Sequence, residues 1–454
     1  MFEARQDVGG VWWALFFEHM VTVFTFVATI LNYRLPSPPV DNPPLTPLYD
    51  SLTTNLPHPV MAFSDYPFPP STPVYPRASI VQTYLQSYAE HFGLKHHIQF
   101  NTTVTSVEHK PDLDKWKVKI HTGEEDLFDM VVVCNGHYRV PRYPNVAGLD
   151  AWRRRNKATH SAWYRHPEHS GNVLVVGSGP SGSDISADLL AADSSRTIIH
   201  SIPGSQNHDK GNLKIRGRLA RFEDVDLGQV VFDDGAVESG IDHCILATGY
   251  DTSFPFLSKP FIRKGIPPLA PPLTSDLFDT SRGIFPLARH IFPLANPTIA
   301  FVALPLRIAP FPLAECQACA IFHVLAHPKA FDIQQETMDI LARYEGLRRK
   351  IGDDPLYISR EWNEMSFEQF GYRDRLREFA AGSYELIKVE KWVRVMYKNK
   401  AVLRQVWRML ESGGEAEKWV EGVGEKSEEE WVVLLERMLD KARDLGLPVV
   451  EHVE

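Results

Sequence analysis

At 454 residues, 44% of them hydrophobic and 23% charged, the chain can form two or three globular domains, each burying its own core. Its 57 acidic residues outnumber its 48 lysines and arginines, and a net charge of −9 leaves no basic footprint for nucleic acid. Four cysteines are too few for a disulfide scaffold and suit a reducing, cytoplasmic setting.

The apolar stretch from Val11 to Leu31 is about as long as a short membrane span, but Glu18 and His19 interrupt it. Glu3, Arg5 and Asp7 ahead of it do not make a basic leader. A membrane partner is therefore not expected, although association through 13–31 stays open. Leu35 to Pro76 is proline-rich and reads as an extended loop segment. Ala78 to Phe92 has apolar residues at helical spacing: Ile80, Tyr84, Leu85, Tyr88 and Phe92. A β-meander is expected next, from Ile98–Phe100, Val104–His109 and Trp116–His121, then a buried strand at Met130–Cys134 that stops at Asn135-Gly136.

Asn172 to Val176 is a short β-branched run of the kind that forms a buried strand. It leads into Gly177-Ser178-Gly179-Pro180-Ser181-Gly182 and then a helix over Ser183–Ala192. Strand, glycines and helix in that order form a dinucleotide-binding fingerprint. Gly177 permits the tight turn, Gly179 lets backbone approach a pyrophosphate, and Gly182 lets helix and strand pack closely. The tip of the next strand, Thr197–Ile202, reads His200-Ser201-Ile202 with no acid to hold a ribose 2′-hydroxyl, which favours NADP over NAD. Lys210, Lys214 and Arg216 are the nearest downstream cations.

The earlier layout then returns. Val230–Phe232, the turn Asp233-Asp234-Gly235 and a polar run lead to an apolar strand at 245–247 that stops at Thr248-Gly249. Two homologous nucleotide-binding modules account for this repeat; two unrelated hairpin–strand units account for it equally. Beyond Pro260 come a proline-rich connection, a strand at Pro297–Leu304, Pro310-Phe311-Pro312, and a helix over Leu313–Ala326. Cys316 and Cys319 fall in that helix without a second CxxC, so they read as packed cysteines and no metal is expected. The rest is charged and helical, with Glu428–Asp444 clearly amphipathic.

Phe2-Glu3 followed by Gly9-Gly10-Val11-Trp12 looks like the end of a second Rossmann strand and its loop. Together with Thr54-Asn55, Met61–Asp65, Asn135-Gly136-His137-Tyr138, His160 with Tyr164-Arg165, the 177–182 glycines, Ala247-Thr248-Gly249-Tyr250 and Pro310-Phe311-Pro312 with Glu315 and Gln317, this chain resembles the flavin-containing monooxygenases, particularly the fungal thiol- and amine-oxygenating branch. The resemblance covers about residues 1–330. It implies an α/β fold of two Rossmann-like domains, an FAD domain with an inserted NADP domain, plus C-terminal helices. The corresponding boundaries are 1–165 and 259–335 for FAD, 166–258 for NADP and 336–454 for the helical extension.

By the same resemblance, NADPH reduces FAD, and a flavin C4a-hydroperoxide formed from O2 passes one oxygen atom to a thiol, sulfide or amine. Glu3 would bind the adenosine ribose; Gly10, Val11, Trp12 and Thr54 would line FAD; Thr248-Gly249 would lie at the cofactor junction. Asn55 would order the nicotinamide ribose or the hydroperoxide, or else it caps the turn at Thr54-Asn55-Leu56-Pro57. Gln317, expected in the first turn of its helix, would face the flavin or else solvent. His160 is read as a linker residue, not a proton carrier. Tyr164-Arg165 stands where a Baeyer–Villiger oxygenase would show Trp followed by Pro or Asp, which points to heteroatom oxygenation.

Two departures stand out. Glu3 should follow its own GxGxxG by about 20 residues, so a first strand, phosphate loop and helix are expected to be missing. Trp13–Leu31 has no partner in the family layout and reads as a retained intron, a membrane-association hairpin or a feature of a truncated paralogue. The competing functions are an NADP-binding chain without stable FAD and, further off, a pyridine-nucleotide disulfide reductase, which needs a cysteine pair beside its flavin.

Overall fold

Two parallel sheets carry the structure, one in each of two units. The computed structural model describes residues 1–4, 20–24, 47–169, 171–259, 261–266, 273, 276–381 and 388–451, the strand at 20–24 by its backbone. Unit 1 comprises Met1–Ala28, Thr53–Gly136 and Thr252–Glu454; unit 2 comprises Thr29–Leu52 and His137–Asp251. Unit 2 thus begins earlier than residue 166, because a strand at 158–160 pairs into its sheet.

Unit 1 opens with β1 (Phe2–Glu3), β2 (Met20–Phe24) and helix α1 (Ala78–His91). An antiparallel meander follows: β3 (Val104–Lys110), β4 (Lys115–Ile120) and β5 (Glu125–Phe128). Along β4 only Trp116, Val118 and Ile120 are buried, the period-2 alternation of a half-buried strand. The next strand, β6 (Met130–Val133), is buried throughout, as a central parallel strand must be.

Unit 2 repeats the plan. Its strands are β7 (Ala158–His160), β8 (Val173–Val176), β9 (Ile198–Ser201), β10 (His208–Lys210) and β11 (Leu213–Arg216), with helix α2 (Pro180–Ala192) between β8 and β9. A second meander, β12 (Leu219–Phe222), β13 (Val230–Phe232) and β14 (Val237–Glu238), leads to β15 (His243–Leu246). The sheet order is β10-β11-β9-β8-β15-β7, parallel except for β10. Gly123 and Gly235 make the corresponding meander turns at φ +94° and +84°, so the repeat seen in the sequence is a repeat of structure.

Unit 1 is completed by β16 (Ile299–Phe301), α3 (Pro310–Ala326), α4 (Ile333–Ile351), α5 (Gln369–Ala380), α6 (Lys391–Lys398), α7 (Lys400–Ser412) and α8 (Glu429–Asp444). Its sheet order is β1-β2-β6-β16, all parallel. Val131, Val133, Ile299 and Phe301 pack there against Trp116 and Val118 of the meander.

One expectation is corrected. Ile98–Phe100 is not a meander strand; only Gln99 pairs, in a single parallel bridge to Phe2, and the third meander strand is β5. Within the apolar insert, Met20–Phe24 forms a parallel strand between β1 and β6, paired through its backbone. Among the described residues no helix is long and apolar enough to cross a membrane.

Candidate functional site

In unit 2 the chain climbs β8, turns through Gly177-Ser178-Gly179 and enters α2 at Pro180. From β8 it continues to β9 and β11 on one side, then returns on the other side as β15. The strand order reverses at the β8/β15 boundary, which is where open parallel sheets bind ligands. Gly177 has φ +139°, and a Cβ there would sit 2.1 Å from the Ala247 carbonyl oxygen. A Cβ on Gly182 would sit 2.2 Å from the Gly177 carbonyl oxygen, whereas one on Gly179 would meet nothing within 4 Å. Two of the glycines therefore close the packing and the third leaves an open approach. Among the described residues, the N–H groups of Ser178, Gly179 and Ser181 have no backbone acceptor, and Pro180 has no N–H to satisfy. Three unclaimed donors at the start of a helix are an anion cradle.

The walls of that corner are fixed by hydrogen bonds. His200 donates from Nε2 to the Gly177 carbonyl at 2.8 Å. The Thr248 hydroxyl donates to the Arg142 carbonyl at 2.6 Å, and the Gly249 carbonyl accepts from the Arg142 amide at 2.9 Å. His160 is fully buried; Nδ1 accepts from the Ala162 amide and Nε2 donates to the Gly249 carbonyl. Burial lowers its pKa to about 4, so it is a neutral brace with both nitrogens committed. Helix α2 is anchored by two buried tyrosines, Tyr164 on Asp188 at 2.5 Å and Tyr49 on Asp184 at 3.1 Å. Nothing in the sequence pattern singled out those aspartates.

Of the three cations near the second strand tip, Arg216 aligns with Ser201 across β9 and β11, at the carboxyl edge of the sheet. It donates to Glu238 and Asp209, and Lys214 also pairs with Glu238. Lys210 faces Leu213, at the opposite end of β11. Only Arg216 is at the ligand edge.

In unit 1, Glu3 ends β1 and is 4% exposed, with its amide bonded to Gln99 and its carbonyl to Thr102. Gly10, Val11 and Trp12 lie outside the described residues. Thr54 donates from its hydroxyl to the Leu56 carbonyl at 2.8 Å, so it makes the turn that Asn55 was offered. Asn55 is exposed, and among the described residues its amide has no hydrogen-bond partner. Gln317 is corrected on two counts. It lies past the second turn of α3, and it is fully buried, accepting from the Ala303 amide and donating to the Tyr372 hydroxyl, each at 2.8 Å. Ser64 donates to Glu315 from both its amide and its hydroxyl, joining two stretches that carry the family resemblance.

A dinucleotide fits unit 2 on these contacts. In unit 1 Glu3 ends β1, which holds the sheet position that β9 holds in unit 2, and β2 holds the position that β8 holds there. No glycine occurs between Gly10 and Gly93. The described residues of unit 1 thus place one acid, Glu3, at a strand end and provide no glycine corner for a pyrophosphate.

A family model described as flavin-binding monooxygenase-like matches residues 41–207 and 206–356. The thiol-specific monooxygenase of Saccharomyces cerevisiae is 34% identical over 61% of this chain and 65% of its own length, so the match spans just under two thirds of that enzyme. The flavin-containing monooxygenase FMO GS-OX-like 7 of Arabidopsis thaliana is 29% identical over 87% of this chain and 81% of that one. Among solved structures, S-allyl-L-cysteine S-oxygenase from Allium sativum is similar with a TM-score of 0.69 and 27% identity, covering 98% of this chain and 92% of that one.

Proposed function

Because the chain belongs to the flavin-binding monooxygenase-like family, we propose that it is an NADPH-dependent flavin monooxygenase that adds one oxygen atom from O2 to a soft sulfur or nitrogen centre of a small molecule. FAD and NADPH are the cofactors of this family. The observation that carries the reading is the Gly177–Gly182 corner with its three unclaimed N–H groups. The names of two relatives, a thiol-specific monooxygenase and an S-oxygenase, favour sulfur.

When bound, NADPH supplies the hydride and FAD the chemistry with oxygen. The chain's part is binding and placement. Ser178, Gly179 and Ser181 donate to the NADP pyrophosphate, Pro180 starts the helix beneath it, and Gly177 and Gly182 let the strand ends close around it. Arg216 meets the 2′-phosphate. Thr248 and Gly249, braced by Arg142 and His160, shape the adjacent wall. Glu3 holds the adenosine ribose of FAD, and the Asn55 amide orders the reacting end of the cofactor pair. The four free cysteines accord with action in a reducing compartment.

The test is purification with and without added FAD, followed by NADPH oxidation and product analysis with a thiol and an amine. FAD-dependent consumption of NADPH with formation of an oxygenated product supports the reading. Tight NADP⁺ binding with neither FAD retention nor FAD-dependent turnover supports a second reading, an NADP-binding protein without stable flavin. That alternative is favoured by β2 in the place of a glycine-corner strand.

A further inference from the structure

Thr53, Thr54 and Asn55 form a short loop that unit 1 grips from two sides. On one side the Thr54 amide donates to the Pro76 carbonyl at 3.0 Å, and Thr53 bridges Arg77. On the other side is Arg404 of α7, a helix beyond the stretch matched to the family, which ends at residue 356. Its guanidinium donates to the Thr54 carbonyl at 2.8 Å and also to the Thr53 hydroxyl. The same guanidinium lies 4.6 Å from the centre of the Tyr75 ring. Tyr75 is 1% exposed and donates its hydroxyl to the Lys400 carbonyl at 3.2 Å, so ring and helix hold each other.

A planar fork that bonds two successive residues and stacks on a fixed ring restrains orientation as well as distance. Helix α7 is itself held in place: Leu403, Val406, Trp407 and Leu410 are buried, and it packs on α8. The exposed Asn55 therefore follows a residue, Thr54, whose backbone is pinned at both its amide and its carbonyl.

We propose that Arg404 is a positioning residue for Asn55, and that the C-terminal helices contribute to the oxygenating site by holding this loop. The role rests on the reading of Asn55 given above. Arg404 touches no cofactor atom; it acts by keeping the Asn55 amide in one orientation.

The test uses the full chain supplied with FAD and NADPH, and the variants Arg404→Ala, Arg404→Lys and Asn55→Ala. Hydrogen exchange of the peptide spanning 50–57 is measured first, with the peptide spanning 173–192 as internal control. Faster exchange at 50–57 alone in Arg404→Ala, with partial recovery in Arg404→Lys, supports the clamp. Equal exchange in Arg404→Ala and wild type overturns it, and if Arg404→Ala does not fold, Arg404→Lys decides by the same comparison. For function, Arg404→Ala is expected to lower the yield of oxygenated product per NADPH by about ten- to a hundredfold, with the KM for NADPH within about twofold of wild type. Millimolar guanidinium should restore part of the loss. Wild-type yield in Arg404→Ala alongside a defective Asn55→Ala overturns the positioning role. Wild-type yield in Asn55→Ala instead removes the premise about Asn55 while the exchange result still judges the clamp.

Discussion

Gly177 and Ala247 terminate neighbouring parallel strands, and the space between them is closed to a single carbon: a Cβ on Gly177 would lie 2.1 Å from the Ala247 carbonyl oxygen. Gly177→Ala therefore combines a clash with backbone at a fixed strand end and a φ of +139°, and should destabilise unit 2 by more than about 3 kcal/mol. Gly179→Ala is the contrast. Its φ of −81° suits any residue and its Cβ meets nothing, so stability should change by less than about 0.5 kcal/mol. The added methyl would instead occupy the ligand's approach, and NADP⁺ affinity should fall by at least about tenfold. Thermal unfolding with and without NADP⁺ checks both variants; unchanged affinity in Gly179→Ala would remove that glycine from the site.

Stability should fall in mild acid. Burial lowers the pKa of His160, His137 and His243 in unit 2 to about 4, and of His58 and His290 in unit 1 to about 3. These values lie below the unfolded value of about 6.5, so the unfolded chain binds more protons in between. The stabilisation is fully present above about pH 6.5 and is lost as pH falls toward the folded values. The unfolding midpoint, followed from pH 7.5 to 4.5, should decline steadily. His160→Asn, which keeps an acceptor for the Ala162 amide, should flatten part of that decline and leave the shape of the pH–rate profile unchanged. Loss of one limb of that profile would make His160 a proton carrier.

Arg216, which pairs with Ser201 at the carboxyl edge of the sheet, is the cation proposed to meet the 2′-phosphate of NADP. Charge-assisted bonds to a phosphate are worth about 1.5–3 kcal/mol. Arg216→Ala should therefore weaken NADP⁺ binding by about ten- to a hundredfold while NAD⁺ binding changes little. Equal losses for both cofactors would point to damage from freeing Glu238 and Asp209, not to phosphate recognition.

Gln317→Leu would strand the Ala303 amide and remove the donor to the Tyr372 hydroxyl, all of it buried. A loss of about 2–3 kcal/mol in unit 1 is expected, with NADP⁺ affinity in unit 2 unchanged. Calorimetric unfolding and NADP⁺ titration of the same preparation separate the two effects.

What the sequence revealed of this fold follows from how local each signal is. The helix expected at 78–92 is found at 78–91, and the strand expected at 172–176 at 173–176, because periodicity and β-branching act within a few residues. Helix α2 starts three residues earlier than expected, since Pro180 is well suited to a first helical position. Strand β5, Glu-Asp-Leu-Phe, escaped notice because three of its four residues face solvent. The pairing of Met20–Phe24 depends on β1 and β6, which no local pattern encodes.

The site was legible to a similar depth. Its glycines announced themselves because each has a distinct steric duty. Gln317 was located on the right helix, but its partners, Ala303 and Tyr372, are remote in sequence and turn it into a core crosslink. Arg404 gave no signal at all, being one of two arginines on α7, and only the folded chain brings it to Thr53 and Thr54.

The seat taken by Met20–Phe24 separates two things that usually travel together. A parallel ladder asks of a newcomer only amide and carbonyl groups in extended register, so a sheet tolerates a change of tenant. A phosphate-cradling bend asks for specific small residues at specific torsions and has no such tolerance. A sheet position and a phosphate-cradling bend are thus separate demands on the sequence, and overall shape similarity registers the first while remaining blind to the second.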